Sequence, residues 1–124
     1  MYARDNVVTA NDVQQILPGN ALIEAAATAL ALLGDATRLR LMIQLSAGGR
    51  DVSTLTAAVG AARPAVSQHL AKLRLAGLVT MRRNGRRAVY AVADEHVRRL
   101  VAEAVNMTEH RLSDWPDHHL PRPR

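Results

Sequence analysis

Residues 64–92 read PAVSQHLAKLRLAGLVTMRRNGRRAVYAV, and the spacing of the apolar residues changes halfway along them. Val66, Leu70, Leu73 and Leu75 follow Pro64, which suits a first helical turn, at helical spacing, and Gly77 ends the run. Beyond it, LVTMRR and RRAVYAV flank Asn84-Gly85. Asn-Gly between two strand-like runs predicts a β-hairpin, because a type I′ turn needs positive φ at both central residues. The tip is then RRNGRR, four arginines around one turn; charges there also serve simply to block edge aggregation. Just upstream, TLTAAVG predicts a short helix capped by Ser53 and stopped by Gly60. Two short helices joined by about three residues, the second polar on one face, read as a helix-turn-helix, with the hairpin as its wing.

The flanks predict more helix. Residues 1–19 form an N-terminal arm, with room for a short helix after Asn11, and end in Pro18-Gly19. Asn20 is placed to cap a helix to Leu33, with Leu22, Ile23, Ala26, Leu30 and Leu33 at helical spacing. Asp35 is placed to cap ATRLRLMIQLSA, with Leu39, Met42, Ile43 and Leu45 inward and Gly48-Gly49 closing it. Asp94 caps a last helix over about 95–110, whose Val97, Leu100, Val101, Ala104, Val105 and Thr108 form one wide stripe. Residues 111–124, RLSDWPDHHLPRPR, read as an irregular tail. The fold class expected is mainly α (α+β): a winged helix-turn-helix over 20–110 with a two-stranded wing and terminal dimerisation helices.

The composition fits one small domain. The 124 residues contain no Phe, one Trp and two Tyr, so the core must be aliphatic. No apolar run approaches the ~20 residues of a membrane span, and MYARDNVV lacks the apolar core of a signal peptide. A cytoplasmic protein away from membranes is expected. The absence of cysteine excludes disulfides and thiolate metal sites. The formal charge is +5, and Lys72 is the single lysine among 16 basic residues. From Arg63 to Tyr90 there are 7 basic residues and no acid. One sign of charge on one segment suits a polyanion. No Ser-His-Asp or paired-carboxylate arrangement can be built from the spacing, so an enzyme is not expected.

This order of elements, with LALLGDATRLRLMIQL, AVSQHLAKLRLAGLV and GRRAVYAV at their separations, resembles the ArsR/SmtB family of metal-responsive winged-helix repressors over about residues 22–110. EHVRRLVAEAVNMTEH followed by DHH is most similar to the KmtR and NmtR nickel/cobalt sensors of that family. The resemblance implies a homodimer that holds operator DNA when metal-free and releases it on binding metal. Physical reasoning agrees, since one recognition helix reads only a few base pairs and two copies must lie ~34 Å apart. The stripe on the last helix, with the first helix, would supply the dimer surface. Ser67, Gln68 and His69 are the positions able to read base edges, although His69 also fits a surface or supporting role. Arg63, Lys72, Arg74, Arg82, Arg83, Arg86 and Arg87 suit phosphates of double-stranded DNA.

Four of the five histidines lie in residues 94–119. At 100° per residue, Glu103, Met107 and His110 fall within ~40° of His96, yet 14 residues of helix put His110 ~21 Å from His96. Metal–nitrogen bonds are only ~2.0–2.1 Å for zinc, so one ion cannot join both from one chain. An antiparallel partner helix would pair His96 of one subunit with His110 of the other. The family's zinc-type pattern is matched by Asp94, His96 and His110, but Met107 stands where a fourth ligand would, and a thioether is a poor ligand for such ions. The resemblance to the nickel/cobalt sensors implies instead His96, Glu109, His110, His118 and His119. Glu109 sits ~140° round the helix from His96, so it ligates only where the helix frays. Asp94 has a second role as helix cap. Six oxygen and nitrogen donors would suit Ni(II) or Co(II) over tetrahedral Zn(II). The function expected is a Ni(II)/Co(II)-released repressor. The alternatives are a repressor of the same family answering Zn(II) or a non-metal signal, and a constitutive DNA-binding protein.

Overall fold

The computed structural model describes residues 19–114, together with Val7 and Thr9. The rest of the expected arm, the helix after Asn11, and His118 and His119 lie outside the described residues. The order is α1 (Asn20–Leu33), α2 (Ala36–Ser46), β1 (Arg50–Asp51), α3 (Val52–Val59), α4 (Arg63–Leu75), β2 (Val79–Asn84), β3 (Arg87–Val92) and α5 (Glu95–Ser113). This is a mainly helical winged helix-turn-helix with a β-sheet wing, as the sequence predicts.

Cap chemistry sets most of the boundaries. Asp35 accepts from Arg38 N at 2.9 Å and opens α2. Asp94 accepts from Val97 N at 3.0 Å and opens α5. Two expected caps are corrected. Asn20 is already helical, and the residue before α1 is Gly19, which offers no side-chain bond. Ser53 also lies inside its helix, and Asp51 caps α3 by accepting from Thr54 N at 2.8 Å. Asp51 wins because it ends β1 with extended backbone, the conformation an N-cap needs. Gly77, at φ 78°, closes α4: Leu78 N donates to Leu73 O at 2.9 Å and Gly77 N to Arg74 O at 3.0 Å.

The core joins Leu33, Leu41, Met42, Leu45, Leu55, Val66, Leu70, Leu73, Leu78, Val79, Val92, Val97 and Val101. Fully burying each such side chain contributes about 1.5–3 kcal/mol before chain entropy is counted. Two expected core residues lie outside it. Leu75 is 92% exposed, because it sits ~140° round α4 from Leu70. Ile43 is also exposed and lines a groove against Val101 and Val105 of α5.

The sheet has three antiparallel strands in the order β1-β3-β2, one more than the expected hairpin. Arg50 pairs with Tyr90 and Asp51 with Val89. Gly49 permits this approach, since a Cβ there would meet Val89 Cγ1 at 3.1 Å. The hairpin turn is displaced by one residue from the expected Asn84-Gly85. Asn84 pairs with Arg87, so Gly85 and Arg86 are the central residues, with Gly85 at φ 66°. Helix α5 runs three residues past 110, so Arg111, Leu112 and Ser113 of the expected irregular tail are helical.

Candidate nucleic-acid interface and metal centre

Helix α3 ends at Gly60, left-handed at φ 68°, and the chain re-enters helix at Arg63-Pro64. Val66, Leu70 and Leu73 have no exposed surface and key α4 into the core. Their burial sets which face remains outside: Ser67, Gln68, Lys72 and Arg74 are exposed on α4. A side chain of Gln type can read adenine, and Lys and Arg can neutralise phosphates. Arg63 is braced, its Nη1 donating to Ser53 Oγ at 2.9 Å.

The wing brings its own cations to the same place. Arg82, Arg83, Arg86 and Arg87 are exposed. A cleft of about 200 Å³ is lined by Asp51, Ser53, Arg63, Arg83, Arg86 and Arg87, so the helix-turn-helix and the wing share one basic recess. Asp51 is the acid within it: Arg87 Nε lies 3.1 Å from Asp51 Oδ2. Hydrogen bonds from Thr54, then the charges of Arg87 and Arg63, hold the Asp51 carboxyl below its ordinary value of 3.8 against a desolvation effect of opposite sign. Arg74 is not part of this recess; it borders a separate groove with Ala71, Leu75 and Tyr90.

His69 is placed differently from its neighbours Ser67 and Gln68. It is half-buried, and its Nδ1 lies 3.1 Å from Arg38 Nη1. Arg38 Nε also donates to Leu32 O near the end of α1. No local pattern could reveal this link, since 31 residues separate its ends. Asp35 completes the corner: the Arg38 backbone bond lowers its carboxyl against an opposing desolvation effect, and the Arg38 charge lowers it further.

The candidate metal residues on α5 are dispersed. Asp94 is engaged as the cap, His96 is exposed, and Glu109 lines an apolar groove with Leu39, Met107 and Leu112. His110 Nε2 lies 3.6 Å from Asp114 Oδ2, a partner the sequence reading missed although it sits one helical turn on. Among the described residues, no three of His, Asp or Glu gather closely enough within one chain to hold an ion. The two terminal helices also leave apolar side chains outside: Leu22, Ile23 and Leu30 on α1, and Leu100, Met107 and Leu112 on α5. Two grooves, of about 200 Å³ and 390 Å³, run along α5 beside them.

Comparison with known proteins places this geometry. Residues 35–81 match the family described as bacterial regulatory protein, arsR family. The chain is 46% identical over 88 residues to the HTH-type transcriptional regulator KmtR of Mycobacterium tuberculosis, spanning 71% of this chain and 68% of KmtR. It is 38% identical over 88 residues to the HTH-type transcriptional repressor SmtB of the same organism, spanning 71% of this chain and 65% of SmtB. The homodimeric winged helix-turn-helix DNA-binding domain of a Mycobacterium bovis protein, solved in solution, superposes with a TM-score of 0.72 at 30% identity, covering 84% of this chain and 99% of that domain. No described helix is long and apolar enough to cross a membrane.

Proposed function

The chain belongs to the arsR family of bacterial regulatory proteins and is a DNA-binding transcription regulator, not an enzyme; on that premise we propose that it is a homodimeric repressor released from operator DNA by Ni(II) or Co(II). Two α4 helices read successive major-groove faces through Ser67 and Gln68. Arg63, Lys72, Arg74 and the wing arginines 82, 83, 86 and 87 hold phosphates. The work is cytoplasmic, where the DNA is.

The observation that carries the sensing half is the dispersal of His96 and His110 along one exposed helix. The imidazole and carboxylate donors fit Ni(II), Co(II) or Zn(II) by type, and they need a second chain to converge. His96 of one subunit with His110 of the other, joined by His118 and His119, would hold the ion; Glu109 would join only on fraying of α5 at that turn, and Asp94 only on leaving its capping bond to Val97 N. The bound ion would supply a cross-link between the dimerisation helices. Such links change operator affinity by the usual coupling of ~1–3 kcal/mol. Coverage of the repressor SmtB, the homodimeric state of the M. bovis domain and the apolar residues exposed on α1 support the dimer and repressor parts.

The experiment is DNA-binding anisotropy on a duplex enriched from a random library, titrated with Ni(II), Co(II) and Zn(II). Release by Ni(II) or Co(II) at lower concentration than by Zn(II) is expected. Release by Zn(II) first would assign the family's tetrahedral chemistry instead. Retention of DNA with all three would remove the sensing half and leave a DNA-binding protein.

A further inference from the structure

We propose that Arg38 is a positioning residue for DNA reading: it holds His69, and through His69 it fixes the orientation of the recognition helix, so that His69 itself reads no base. This rests on α4 being the reading helix.

The contact allows one assignment of the proton. A guanidinium only donates, so with Arg38 Nη1 3.1 Å away, His69 Nδ1 accepts and Nε2 carries the hydrogen. One ring nitrogen is therefore committed, and the ring is half-buried, whereas Ser67 and Gln68 are exposed. His69 lies ~100° round α4 from Leu70, on the flank rather than on the outer face. The other attachments of α4 to the core are Val66, Leu70 and Leu73. Apolar burial is non-directional and tolerates small rolls of a helix, while a hydrogen bond to a charged donor does not. Arg38 is itself anchored, through Leu32 O at the end of α1 and through its backbone at Asp35. The strap thus runs from the first helix to the DNA-reading helix.

Its integrity depends on the imidazole staying neutral. The charged groups on the elements around His69 are Arg38, Arg40 and Asp35 at α2, Arg63, Lys72 and Arg74 on its own helix, and Arg82 and Arg83 on β2; α3 has none. Protonation would remove the acceptor and set a second cation against Arg38.

The test uses anisotropy with metal-free full-length protein on the enriched duplex and on a scrambled duplex of equal composition. R38A and H69A should each lower the preference for the enriched duplex by roughly tenfold, and the double variant should be no worse than either. H69N keeps an acceptor near the Nδ1 position and should recover most of the preference. Additive losses would overturn the proposal, as would H69N enriching a duplex altered at one base pair, the signature of a base reader. A DNA-independent measurement stands beside these: imidazole nitrogen NMR should show the Nε2–H form in wild type, with the Nδ1 resonance shifted in R38A by the loss of its hydrogen-bond donor. An Nδ1–H form would overturn the proposal, whereas failure of the wild type to enrich any duplex would instead refute the operator reading.

Discussion

Asp51 divides its two oxygens between two elements: Oδ1 accepts from Thr54 N at 2.8 Å and caps α3, while Oδ2 lies 3.1 Å from Arg87 Nε of the wing. One carboxylate thus starts the helix-turn-helix and ties down the hairpin beside it. The exposure of Arg87 makes the ion pair the weaker half. D51A should lower the melting temperature by several degrees, and D51N, which keeps a capping oxygen, by less. Thermal melts followed by circular dichroism decide the order.

The same carboxylate and that of Asp35 give the pH dependence its sign. Both are held below the ordinary value of 3.8 in the folded chain. The unfolded state therefore binds protons first as pH falls, and the stability these groups contribute is complete above that value and lost through the folded values below it. Urea midpoints of the wild type should fall as the pH drops below about 4, and the D35N/D51N double variant should show a flatter dependence.

Leu73 and Leu75 are two residues apart and should behave oppositely. Leu73 has no exposed surface, and L73A should cost about 2–5 kcal/mol in chemical denaturation. Leu75 projects into solvent, and L75A should stay within about 0.5 kcal/mol of wild type. A large loss in L75A would mean that α4 is rotated relative to the described packing.

Arg86 and Arg87 separate in the same way on DNA. Arg86 is a central residue of the turn, while Arg87 is already paired with Asp51. R86A should weaken binding to all sequences and reduce the slope of log affinity against log salt by about 1. R87A should reduce it less. An unchanged slope in R86A would remove the wing from the interface.

Leu30 of α1 is more than half exposed, so L30E should leave the chain folded. It should abolish self-association by placing a charge in the proposed dimer surface. Sedimentation equilibrium at micromolar concentration should report one chain, and affinity for a two-half-site duplex should fall toward that for a single half-site.

Much of this was legible because it is written locally. The change of spacing at Gly77, the caps Asp35 and Asp94, and the helix stops at Gly60 and Gly77 each depend on residues a few positions apart. What escaped depends on contacts between distant segments. Strand β1 has two residues, too few to show alternation, and exists because Gly49 lets the chain close on Val89. Asp51 and Ser53 are both capping residues, and only the strand before the helix chooses between them. The hairpin shifted because the pairing of Asn84 with Arg87 leaves Gly85 to carry the positive φ at the first central position. The basic recess was readable as a list of arginines but not as one place, and Arg38 with His69 had no local signature.

Helix α1 has 14 residues and buries one of them, Leu33. An isolated helix of that length is marginal in water, so α1 draws little of its order from its own chain. In a dimer its remaining stability is supplied by mass action, and the melting temperature rises with protein concentration. With the proposed dimer, the copy number of this regulator would enter the stability of its own fold: a cell that dilutes the protein would weaken its helices and its grip on DNA together.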